Sequence, residues 1–224
     1  MADLRRSQWL AEGTATFGRD GIEAIVESLD DGFETAATAL DYDGPKGPVE
    51  LYVVTDALQQ DSDTLVWGTH DQGVIRIGLN PRSSVEDIVA VIPRYGCHEM
   101  AHKIHFGQPA PRASWGLGIP FMKVIVEGFA THTEQTLHDN NYWPASYLNL
   151  TPQQRSAHDG HLLRAMYGSG STAPDYFRQD DDGVDVYEVG TYVVGLMSVV
   201  HDLAPRDLVK LPLVAFQDFA EHEL

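Results

Sequence analysis

The pentapeptide His98-Glu99-Met100-Ala101-His102 has the pattern H-E-x-x-H, and the interpretation of the whole chain starts from it. In a helix, side chains four residues apart lie on one face, so His98 and His102 would direct both imidazoles toward one ion. Glu99 would lie on a neighbouring face, where its carboxylate can hold a water molecule bound to that ion. Two nitrogen ligands, an adjacent base and an open coordination position are typical of zinc hydrolases.

The pentapeptide lies in a segment whose pattern predicts a helix from Arg94 to Phe106. Pro93, immediately upstream, lacks a backbone N–H and its ring clashes with the carbonyl four residues before it. Either the helix therefore kinks at Pro93, or a second helical segment begins there. In both cases His98 and His102 share one face.

The rest of the chain predicts an α+β fold. Residues 1–48 read as helical, with apolar residues at three- and four-residue spacing between Ile22 and Ala37. Residues 49–54 predict a central strand, and residues 74–79 predict another that either pairs with an extended substrate or is an ordinary sheet strand. Ser83 or Ser84 is expected to cap the next helix. Further helices are predicted over residues 120–138, from Pro152 onward, and over 186–203 and 205–223, with loops at 113–118 and 168–174.

A catalytic zinc ion needs a third protein ligand. The pattern with a third histidine requires Gly at position 105 and His at position 108, whereas this chain has His105 and Gln108. Glu127 is the better candidate, because a carboxylate in an otherwise apolar helix is costly unless it is paired or bound to a metal. An ion pair with Lys123 is the alternative. Gly128, beside it, would allow the pentapeptide helix to approach closely.

Two segments together resemble the bacterial predicted zinc-dependent proteases of the gluzincin type. They are residues 93–106 and Glu127-Gly128-Phe129-Ala130, which are similar to the H-E-x-x-H helix and the later E-G helix of that family. Residues 187–195 are similar to the Tyr/Gly-rich helix near the end of such domains. The resemblance implies a peptidase-like zincin fold in which the zinc ligands are His98, His102 and Glu127 and the base is Glu99.

A peptidase also needs a donor that stabilises the oxyanion. Tyr187 and Tyr192 are the candidates, because the late helix can face the cleft, although tyrosines on helices more often pack in a core or an interface. His158 and His161 are weaker candidates. His105 is expected to lie near the ligands or on the surface.

Composition restricts the function classes further. The chain has 224 residues, 43% of them hydrophobic, and a formal net charge of −18, which would repel a phosphate backbone and argues against nucleic-acid binding. No apolar run approaches the ~20 residues that a membrane span requires, and the first residues are not expected to form a signal peptide. Cys97 is the only cysteine, which excludes an internal disulfide and favours a reducing, cytoplasmic location.

These observations predict a cytoplasmic zinc metallopeptidase with Zn²⁺ as cofactor and a peptide or protein as substrate. Residues 1–224 would form one zincin-like catalytic unit, with a cleft between residues 1–108 and 109–224. Two alternatives remain open: a zinc-binding regulatory domain without turnover, and an acidic helical interaction module in which the pentapeptide is coincidental.

Overall fold

The computed structural model describes residues 8–56, 63–71, 73–108, 119–139, 142, 144–167 and 186–224. In these residues the chain is α+β as predicted, mostly helical with a small three-stranded sheet. The loops predicted at 113–118 and 168–174 lie outside them. The helices are α1 (Gln8–Ala39), α2 (Val85–Gly107), α3 (Ile119–His138), α4 (Pro152–Tyr167), α5 (Val186–His201), α6 (Pro205–Leu208) and α7 (Leu213–His222), with a 3-10 helix at Pro144–Asn149; the strands are β1 (Val49–Val53), β2 (Val66–Asp71) and β3 (Val74–Leu79).

The chain divides into two compact units, Met1–Lys103 and Ile104–Leu224, and the boundary falls within α2. None of the described helices combines the length and the apolar character that crossing a membrane requires.

The sheet belongs to the first unit and has the strand order β1-β3-β2. β3 pairs in parallel with β1 and antiparallel with β2, so β3 is the central strand and β1 lies at an edge. The prediction of a central β1 was therefore wrong, as was the suggestion that β3 offers a free edge to a substrate. The apolar character of β1 reflects burial of one face, where Val49 and Leu51 are 0% and 1% exposed.

The apolar face predicted in α1 is confirmed, but the helix is shorter than residues 1–48 and it bends. At Gly18 the backbone has φ 73° and ψ 167°, outside the helical region and accessible to glycine without strain. The bend brings Gly13 against Ile22, whose Cδ1 lies 2.7 Å from the place of a Cβ on Gly13. The buried face consists of Ile22, Ile25, Leu29, Phe33, Ala36 and Ala37.

α2 runs as one helix through Pro93, which settles the choice left open by the sequence. Pro93 cannot donate to the carbonyl of Val89, and the hydroxyl of Ser28 on α1 donates to that oxygen at 3.0 Å instead. The two helices come close enough for this because Gly32 on α1 faces the Pro93 carbonyl, which would lie 2.2 Å from a Cβ at Gly32. The cap of α2 is Ser84, whose Oγ accepts a hydrogen bond from the Asp87 N–H at 3.0 Å.

In the second unit, α3 and α5 cross at glycines. A Cβ on Gly128 would lie 2.0 Å from the carbonyl carbon of Gly190, so the two backbones are in direct contact. The helix that approaches closely at Gly128 is therefore α5. The helix predicted over residues 205–223 is divided into α6 and α7, because Pro212 occupies the N-cap position of α7 and cannot continue a helix from α6.

Candidate metal centre

His98 and His102 lie one turn apart on α2, as the pentapeptide predicts. Their Nε2 atoms are 3.0 Å apart, and their rings meet edge to face at 82° with centroids 4.7 Å apart. Two imidazole nitrogens bound to one tetrahedral zinc ion, each at about 2.0 Å, would lie roughly 3.3 Å apart. The same separation also suits a hydrogen bond between two neutral imidazoles, so the distance alone does not require an ion.

Glu127 completes a group with these two histidines. One possible ligand atom from each of His98, His102 and Glu127 lies within 4.8 Å of the other two. His102 is buried, whereas the other two side chains are partly exposed. Such a group could hold a metal ion, and within the described part of the chain it is the one set of three His, Cys, Asp or Glu side chains close enough to do so. The sequence analysis predicted these three residues as metal ligands, and the structure places them close together.

Glu99, the predicted base, lies against the sheet and is only 4% exposed. A Cβ placed on Gly68 of β2 would lie 2.3 Å from Glu99 Oε1 and 2.9 Å from both Cγ and Cδ. The carboxylate thus occupies the space that a side chain at Gly68 would fill. The sequence offered a signal for this contact, since a glycine inside a strand often marks the close approach of another group.

His105 lies in the last turn of α2 and is 1% exposed, so the surface position considered for it was wrong. Its ring packs against Phe129 of α3, with centroids 4.6 Å apart. His105 is not part of the three-residue group, and its aromatic contact gives it a packing role in the second unit.

The two tyrosine candidates on α5 are placed very differently. Tyr187 is 39% exposed, whereas Tyr192 is 2% exposed and stacks on His158 with centroids 4.8 Å apart. The Tyr192 hydroxyl faces Asp159 Oδ1 at 3.5 Å. Burial and, secondarily, the charge of Asp159 raise the pKa of Tyr192 to about 12, so it keeps its proton at neutral pH. Neither tyrosine belongs to the three-residue group.

A buried histidine that the sequence analysis missed lies one turn after Gly128 on α3. His132 is 1% exposed, and its Nδ1 lies 2.9 Å from the Tyr142 hydroxyl. Burial lowers the pKa of His132 to about 4, and burial also raises the pKa of Tyr142, with a smaller contribution from Tyr147. Both groups are therefore uncharged near neutral pH.

Comparison with known proteins adds no relative: no protein-family model, no curated protein and no solved structure matches this chain.

Proposed function

We propose that this protein is a zinc-dependent peptidase of the gluzincin type with a zincin-like fold. The observation that carries the proposal is the convergence of His98, His102 and Glu127, whose ligand atoms lie within 4.8 Å of one another. Two imidazoles and one carboxylate form a donor set that suits zinc, and three protein ligands leave the fourth tetrahedral position for water.

The reaction follows from the residues beside the ligands. Zinc bound at this group would lower the pKa of a coordinated water toward ~7 and polarise the scissile carbonyl. Glu99 accepts a proton from the attacking water as the water oxygen bonds to the carbonyl carbon. The C–N bond then breaks, and Glu99 returns that proton to the leaving amine. Water is thus consumed, and one carboxyl group and one amino group are formed.

The substrate proposal rests on charge. A net charge of −18 attracts neutral or cationic peptides more than acidic ones. Tyr187 is the better candidate of the two tyrosines for the oxyanion donor, since Tyr192 is buried and its hydroxyl faces Asp159. The single cysteine, Cys97, is buried and cannot form an internal disulfide, which fits a reducing, cytoplasmic location.

Metal content tests the proposal first. Protein purified without added metal should contain about one zinc ion per chain, and His98→Ala should contain less than about half. His201→Ala is the matched control, because His201 is a partly exposed histidine outside the group and should leave the zinc content unchanged. A wild-type protein with less than about half a zinc ion per chain would remove the metal site altogether.

Hydrolysis tests the second step. With a quenched fluorescent library of neutral and basic peptides, the wild type should cleave, and Glu99→Gln should keep its zinc but lose roughly 100-fold or more in kcat. A Glu99→Gln variant as active as the wild type would refute the assigned base.

One observation favours a second candidate, a zinc-binding regulatory domain without turnover. Glu99 is 4% exposed, and so deeply buried a carboxylate suits a site in which the metal serves folding. This candidate predicts full zinc content, a large loss of stability on zinc removal, and no peptide cleavage by the wild type.

A further inference from the structure

Gly68 lies in the middle of β2, and the side chain of Glu99 fills the space where its Cβ would be. We propose that Gly68 is a positioning residue for the general base, an inference that rests on the proposed peptidase function. The absence of a side chain lets the Glu99 carboxylate lie directly against the strand backbone. Gly68 thereby sets the position of Glu99, one residue along α2 from His98.

Pairing with β3 fixes the position of β2. β2 pairs with β3 over its whole length, from Val66 opposite Leu79 to Asp71 opposite Val74. Gly68 itself is opposite Ile77, which is 0% exposed in the core. Because the strand cannot retreat without breaking this ladder, an added Cβ at Gly68 would move Glu99 rather than β2.

The contact involves most of the Glu99 side chain and not only its tip. Cγ, Cδ and Oε1 all lie between 2.3 and 2.9 Å from the place of the missing Cβ. Glu99 can therefore avoid a methyl group at position 68 only by adopting a different rotamer, which moves its carboxylate away from its present position. A general base works only within hydrogen-bonding reach of its proton, and a displacement of about 1 Å can cost roughly 100-fold in rate.

The test is Gly68→Ala, assayed on the zinc-loaded full chain with the same peptide library. We expect kcat to fall at least about 10-fold, with KM within about 2-fold and zinc content unchanged, because the base moves while the ligands stay. Gly78→Ala is the matched control. Gly78 lies in β3 of the same sheet, and its Cβ would meet the ring of Tyr52 at 2.8 Å, but Tyr52 is 39% exposed and can rotate outward.

A second variant separates positioning from general damage to the sheet. Glu99→Ala removes the base together with Cγ, Cδ and Oε1, so adding Gly68→Ala to it should cost less than about 2-fold in the residual kcat. An equal loss from Gly68→Ala in both backgrounds would overturn the inference, and so would a Gly68→Ala single variant with kcat within about 2-fold of the wild type. A zinc-loaded wild type that cleaves no peptide is a separate result, which refutes the proposed function itself.

Discussion

Glycines make room in both units of this chain, but for different kinds of neighbour. In the first unit, Gly68 admits the side chain of Glu99; in the second, Gly128 and Gly190 admit each other's backbone. A side chain can rotate away from an added methyl group, whereas the backbone of a packed helix cannot. A methyl group at Gly68 should therefore mainly displace the Glu99 carboxylate. A methyl group at Gly128 or Gly190 should instead disrupt the packing of α3 against α5.

The largest expected effect comes from a substitution at the crossing of α3 and α5. A Cβ on Gly190 would lie 2.0 Å from the carbonyl oxygen of Val124 and 2.7 Å from Gly128 Cα. Gly190→Ala should lower the free energy of unfolding by about 4 kcal/mol, above the common range for overpacking, because both obstacles are backbone atoms. Thermal unfolding followed by circular dichroism measures this. Gly68→Ala should cost no more than about 1 kcal/mol in the same experiment, and equal losses would contradict the comparison.

Gly107→Ala is the control for the helix crossing. Gly107 is also helical and belongs to the second unit, but a Cβ there meets nothing within 4 Å. The melting temperature of Gly107→Ala should stay close to that of the wild type, because alanine in a helix is at least as favourable as glycine.

The next largest effect is a pH dependence of stability that follows from the burial of His132 in the second unit. The pKa of His132 is about 4 in the folded protein because of burial, against 6.5 in the unfolded chain. Above pH 6.5 the imidazole is neutral in both states and adds no pH dependence. As the pH falls from 6.5 to 4, the unfolded chain takes up a proton that the folded protein does not, so the stability should decrease by about 3 kcal/mol over this window.

Urea unfolding at pH 7, 6, 5 and 4 measures this decrease, with His132→Gln as the comparison. The variant should lose less stability across the window, because glutamine does not titrate. His201→Gln, in which an exposed histidine is removed, should follow the wild-type curve. Parallel curves for wild type and His132→Gln would show that His132 is not responsible.

The smallest expected effects come from the N-cap residues of two helices, one in each unit. Ser84 Oγ accepts from the Asp87 N–H at 3.0 Å, and Thr151 Oγ1 accepts from the Gln154 N–H at 3.3 Å. Ser84→Ala and Thr151→Ala should each lower the free energy of unfolding by about 1 kcal/mol, with the larger loss at the shorter bond. Urea unfolding curves fitted with one shared m-value measure both losses. A variant more stable than the wild type would contradict the cap assigned at that position.

Features that depend on neighbours in sequence could be predicted. These features are the apolar face of α1, the Ser84 cap, the start of a helix at Pro152 and the extent of α3. Each follows from residues within a few positions of one another. The members of the three-residue group could be selected for a similar reason: H-E-x-x-H is a local pattern, and a lone carboxylate at Glu127 stands out in an apolar helix.

Features that depend on distant partners were missed or left open. β1 and β3 are both apolar, so the sequence did not show that β3 is the central strand. The Val89 carbonyl, which Pro93 of α2 leaves without its helical donor, accepts a hydrogen bond from Ser28, which lies 61 residues away in the chain. The burial of His132 is different, because helical spacing offered a signal for it: His132 lies three residues after Phe129 and seven after Ile125, which are both fully buried.

The sequence by itself determined that His98 and His102 share a helix face with Glu99 beside them, because helical spacing is a property of the local chain. Only the tertiary structure decided that Glu127 meets the two histidines and that Glu99 rests on Gly68. The physical reason is that a metal-ligand group and a steric contact both require atoms to meet in space. That meeting is set by the sheet ladder and by helix packing, neither of which is encoded in any one stretch of the chain.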